Sequence, residues 1–114
     1  MNSGLRTDEA EDVAVLRVLN RRPLSTSMRK VLKTLIKAGP AGLTTTEISE
    51  AVGISRAELA GVFGAFGRRV ANTPGWPEGV AFAEYARDED DDARWRYWLP
   101  QVFHDVIGSG KFKL

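Results

Sequence analysis

Two helix-start signals lie eleven residues apart in this chain, Leu43-Thr44-x-x-Glu47-Ile48 and Ile54-Ser55-x-x-Glu58-Leu59, with Gly53 just before the second. In each, the Thr or Ser hydroxyl can accept from an otherwise unpaired backbone N–H. The Glu three residues on can reach back to the cap, and the flanking apolar pair can close a hydrophobic staple. A cap of this kind contributes about 1 kcal/mol, and glycine adopts the left-handed conformation that ends a helix without a Cβ clash. The spacing predicts a helix, a tight turn at Gly53 and a second helix.

The flanking segments extend this pair. Residues 1–7 read as a loose leader and Asp8 to Asn20 as a helix, with acids in its first turn and Val13, Leu16, Val18 and Leu19 later. After Pro23, Met28, Val31, Leu32, Leu35 and Ile36 recur at the spacing of an amphipathic helix ending at Gly39-Pro40. The helix after Ser55 is expected to run to Val70 or Ala71, with Leu59, Val62, Phe63, Phe66 and Val70 on its core face. Asn72 to Gly79 reads as a loop. Val80 to Arg87 and Arg94 to Leu99 read as the strands of a β-hairpin whose tip is Asp88 to Ala93, with Trp95, Tyr97 and Leu99 on one face. Pro100 suits the first position of a short final helix that stops at Gly108, before a flexible tail. The expected division is 1–24 for leader and N-terminal helix, 25–107 for the main domain and 108–114 for the tail.

Helix, capped helix, capped helix, then hairpin: from Ser25 to Leu99 this order resembles the winged-helix variant of the helix-turn-helix domain. Ile48, Val52, Ile54, Leu59 and Val62 fall where that motif packs its helices together, and Gly53 falls at its turn. Ser49 departs from the usual alanine but is small enough for close packing. The resemblance implies an α+β, mostly helical fold, with a three-helix core, a C-terminal β-hairpin wing and extra helices at both ends. It also implies duplex DNA as partner, a role in transcription regulation or as a DNA-docking subunit, and terminal helices that often form a dimer interface.

In such proteins the second motif helix enters the major groove, where base edges present a distinct donor and acceptor pattern. Carried onto this chain, the groove-facing positions are Ser55, Arg56, Ala57, Ala60, Gly61, Gly64 and Arg68, with Thr45 at the start of the preceding helix. Apart from the arginines and the hydroxyls these side chains are too small and apolar to hydrogen-bond a base. Direct readout rests on Arg56 and Arg68, and modest sequence specificity is expected. Arg29, Lys30 and Lys33, with Arg56, are the candidates for phosphate contacts. Net charge is only +1, but Arg21, Arg22, Arg29, Lys30, Lys33 and Lys37 lie in a stretch without acids. The plain reading of Arg29, Lys33 and Lys37 is the solvated side of an amphipathic helix.

Other features bound the function. The five acids Asp88-Glu89-Asp90-Asp91-Asp92 would be repelled by phosphate, so the hairpin tip is expected to point away from DNA. Gly61, Gly64 and Gly67 each disfavour a helix by roughly 1 kcal/mol against alanine. With Ala57, Ala60, Ala65 and Ala71 they form a smooth face for DNA, a dimer mate, a different protein, or the chain's own terminal helices. A protein-protein interaction module using that face and the acidic tip is the alternative function. Trp76, Trp95, Tyr97 and Trp98 are expected to close a small core, and His104, the single histidine, is expected at the surface. There are no cysteines, no run as long as a membrane span and no secretory signal order, which fits a cytoplasmic protein. No catalytic constellation, metal site or cofactor motif is legible, and no small-molecule ligand is evident.

Overall fold

The computed structural model describes residues 3–74, 76, 82–88 and 91–114. It contains five α-helices among those residues: α1 (Ser3–Asn20), α2 (Thr26–Ala38), α3 (Thr45–Val52), α4 (Arg56–Ala71) and α5 (Gln101–Gly108). Three strands, β1 (Leu43–Thr44), β2 (Glu84–Asp88) and β3 (Asp91–Trp98), form one antiparallel sheet in the order β1-β3-β2.

Both helices start at the predicted residues, the first with its full capping box and the second with only the hydroxyl half. Thr44 Oγ1 accepts from the Glu47 N–H at 3.2 Å and Glu47 accepts from the Thr44 N–H at 2.9 Å, a complete capping box. Ser55 Oγ accepts from the Glu58 N–H at 3.1 Å, without a return bond from Glu58. Gly53 is left-handed at φ 78°, ψ 34°, and its N–H and that of Ile54 both donate to the Ser49 carbonyl, ending α3. Ser49 itself sits in the packed angle between the two helices with its Oγ buried and unpartnered, so the hydroxyl there acts only as a small spacer.

One core joins every helix. Val15 and Leu19 of α1, Val31, Leu32 and Leu35 of α2, Ile48 of α3, Leu59 and Phe66 of α4, and Phe103 and Val106 of α5 are all buried in it. Phe66 stacks on Phe82 at a centroid distance of 4.0 Å, and Phe82 meets the edge of Phe103 at 5.4 Å. The aromatics expected in the core are partly there. Trp76 packs on Phe103 and Tyr97 stacks on Phe63, while Trp95 remains 40% exposed against Tyr85.

Several boundaries differ from expectation. α1 starts at Ser3 rather than Asp8, so part of the expected loose leader is helical. The N-terminal helix also shares the main core, because its apolar side faces α4 and α5. Residues after Gly108, expected as a flexible tail, fold back: Lys111 Nζ lies 2.7 Å from Asp12, and Phe112 and Leu114 pack against the core. His104, expected at the surface, is half-buried with its Nε2 enclosed and unpartnered. Pro100 is the residue before the helix rather than its first position, a shift of one residue.

The hairpin is also set differently. β2 begins at Glu84, directly after the buried Phe82 and Ala83, which lie outside the strand. The pairing reaches Asp88 opposite Asp91, with an irregularity at Arg87/Asp88, so the strands run into the acidic stretch: backbone pairing does not require apolar side chains. Glu89 and Asp90 at the tip, and the expected direction of that tip, lie outside the described residues, as do residues 77–81 of the loop.

β1 is the element the sequence does not announce. It is two residues long and pairs Leu43 with Tyr97 and Thr44 with Arg96. The pairing needs Gly42, which is buried at φ +67°, because the Tyr97 carbonyl occupies the space where a Cβ would stand. Arg96 secures the same corner, donating to the carbonyls of Ala41 and Gly42 with Nη2 3.9 Å from Glu47. The hairpin is thereby fastened to the N-terminus of α3.

Candidate nucleic-acid interface

α4 buries Leu59, Val62 and Phe66 and turns its opposite side outward. Along that outer side Ser55, Arg56, Ala57, Ala60, Gly61 and Arg68 are exposed and Gly64 is half-buried. The smooth face is bare at its glycines, while Ala65 at its border is half-buried and packs against the core. A Cβ built at Gly61 or Gly67 meets nothing within 4 Å, and one at Gly64 meets only Arg68 Nη1 at 3.4 Å. The chain's own terminal helices therefore do not cover it among the described residues, which removes one of the four occupants the sequence left open.

The structure divides the expected contact residues into three groups. Arg56 Nη2 donates to Thr46 Oγ1 at 2.9 Å, which holds the guanidinium at the entrance of α4. Thr45, Arg56 and Ala60 line one cleft of about 310 Å³ with Leu59, Phe63 and Tyr97. Arg68 lies twelve residues further along α4, about 18 Å at the helical rise. A major groove is about 12 Å wide, so the two arginines are spaced further apart along α4 than one groove width. Arg29, Lys30 and Lys33 form the third group on the outer side of α2, half-buried for Arg29 and exposed for the lysines. None of these three side chains makes a hydrogen bond or ion pair among the described residues.

Arg68 has neighbours that the sequence reading did not assemble. With Arg21, Arg22 and Arg69 it surrounds a cleft of about 350 Å³, completed by Met28, Ala65 and Asn72. Arg69 is fixed there by three bonds, from Nη1 to the carbonyls of Val18 at 3.0 Å and Arg22 at 2.9 Å, and from Nη2 to that of Pro23 at 3.2 Å. Arg21 Nη1 donates to the Asn72 carbonyl and Arg17 Nη1 to that of Pro74. Burial, then the charges of Arg22 and Arg21, lower the pKa of Arg69 below the usual arginine value. The only trace in the sequence is the pair of Arg-Arg doublets, Arg21-Arg22 and Arg68-Arg69, which a linear reading leaves far apart.

No protein-family model matches the sequence, nor does any curated protein. Solved structures do match the fold. The DNA complex of MepR from S. aureus superposes with a TM-score of 0.60 at 14% identity, covering 96% of this chain and 81% of that one. MarR gives 0.55 at 15% identity, over 96% and 72% of the two chains. The PcaV transcriptional regulator from Streptomyces coelicolor, solved with its natural ligand, gives 0.53 at 22% identity over 93% and 67%.

The fold is a winged helix. In its terms α3 and α4 are the helix-turn-helix pair, α4 is the helix held outward, and β2 and β3 are the wing. The wing is fixed to α3 through Arg96 and β1, and α1 is fixed to α4 through Arg69. No described helix is long and apolar enough to cross a membrane, and no cluster of metal-ligating side chains occurs among the described residues.

Proposed function

We propose that this chain is a DNA-binding winged-helix protein, acting in transcription regulation or as the DNA-docking part of an assembly, with α4 as the groove-entering helix. The observation that carries this reading is the bare outer face of α4, where Gly61 and Gly67 look into open space although glycine disfavours a helix. A face that smooth lets the helix backbone come close to a groove floor. The likeness to MepR in its DNA complex supports it. Arg56, braced on Thr46, is the candidate base reader, and Arg29, Lys30 and Lys33, whose side chains have no partner among the described residues, are the candidate phosphate contacts. Thr45, Ser55, Ala57, Ala60, Gly61 and Gly64 contribute shape and few hydrogen bonds, so specificity is modest.

The same bare face favours one other reading, a contact with a second copy or another protein through closely packed helices. The two separate on charge. Fluorescence anisotropy with a duplex at about 50 mM and about 200 mM salt is expected to give saturable binding that weakens by tenfold or more at the higher salt. Lys33→Glu is expected to weaken it strongly, whereas a protein contact through α4 is disrupted by Gly64→Leu and left intact by Lys33→Glu. Absence of saturable binding at the lower salt, or affinity indifferent to salt, refutes the DNA reading.

A further inference from the structure

The cleft between the α1–α2 link and the last turn of α4 is lined by four arginines and, among the described residues, by no carboxylate. Two of the four are engaged by the fold: Arg69 on the carbonyls of Val18, Arg22 and Pro23, and Arg21 on that of Asn72. The other two are not. Arg22 and Arg68 are exposed, and their side chains make no hydrogen bond or ion pair among the described residues. Like charges around one hollow repel, and solvent alone screens them. A structure that pins one arginine beneath two unengaged ones is built to receive negative charge.

We infer that this cleft is a binding site for a phosphate group, with Arg22 and Arg68 as its free forks and Arg21 and Arg69 as the fixed positive wall behind them. Phosphate fits better than a lone carboxylate because two free guanidiniums match a dianion, and its oxygens accept several charge-assisted bonds at once. The volume of about 350 Å³ lies in the range of clefts that hold small organic ligands, and Met28 and Ala65 give it a partly apolar floor. The phosphate has two sources, a free phosphorylated molecule or the backbone of a nucleic acid lying along α4. Arg68 links them, since its Nη1 lies over Gly64 on the outer face of that helix. The lowered pKa of Arg69, set by burial and by Arg22 and Arg21, agrees with surplus positive charge. The site stands whether or not the chain binds DNA.

The test is isothermal titration of the full chain with pyrophosphate at constant ionic strength, beside duplex-DNA anisotropy, for the parent, Arg22→Gln and Arg68→Gln. Both substituted side chains are unpartnered, so urea midpoints are expected to stay unchanged and serve as the folding control. Saturable pyrophosphate binding that each variant weakens about tenfold assigns the site to a free phosphate. No pyrophosphate binding, with a DNA salt slope that falls by roughly one for each variant, assigns it to backbone phosphates. Pyrophosphate binding that both variants leave intact overturns the inference. So does the lack of any effect of either variant on either ligand.

Discussion

At its N-terminus α4 is held by a serine, and at its C-terminus it is held by an arginine. The two ends differ because a helix presents free N–H groups at one end and free carbonyls at the other. Ser55 meets the first need with one oxygen, and Arg69 in the last turn lies with the helix dipole while bonding the carbonyls that end α1. Arg56 sits against the dipole, one residue inside the positive end, and its one internal bond is to a threonine hydroxyl. An arginine that the local field disfavours, and that is held outward, does little for folding. The comparison teaches that arginines on one helix differ by what they bond: Arg69 commits its guanidinium to carbonyls of the fold, whereas Arg56 stays exposed with a single hydroxyl partner.

Three substitutions break or sharpen that division. Arg69→Met removes three charge-assisted bonds to carbonyls, the one to Val18 part-buried and the two to Arg22 and Pro23 exposed, so unfolding in urea is expected to lose about 2–3 kcal/mol. A loss under about 1 kcal/mol removes the structural role given to it. Arg56→Ala is expected to weaken duplex binding by about tenfold and to shift stability by no more than about 0.5 kcal/mol, the usual surface effect. Equal damage to both properties would erase the contrast between the two ends. Gly61→Ala adds a methyl where nothing stands within 4 Å and is expected to raise stability by about 0.5–1 kcal/mol, read as a higher urea midpoint. If it destabilises, the face is not bare in solution.

The two caps, the turn at Gly53 and the core face of α4 were legible in the sequence because each rests on residues within a few positions of one another. The outward stripe of α4 followed from the same periodicity. β1 was not legible, since a two-residue strand has no alternation to read and exists only because β3 passes beside it. Gly42 and Arg96 went unseen for the same reason: one is needed where a carbonyl from residue 97 approaches, and the other bridges fifty-odd positions to Ala41 and Gly42. The returning C-terminal segment looked like a tail because its anchors, Asp12 and the shared core, lie almost the whole chain away.

The amino-acid order alone determined where α3 and α4 begin and where α3 stops, since caps, a glycine stop and apolar periodicity act through the local backbone. The tertiary arrangement decided which charges meet. It gathered two distant arginine doublets around one hollow and left the α2 cations without partners among the described residues. It also left the glycine face of α4 uncovered. Electrostatic interaction depends on distance through space, and distance along the chain does not report it.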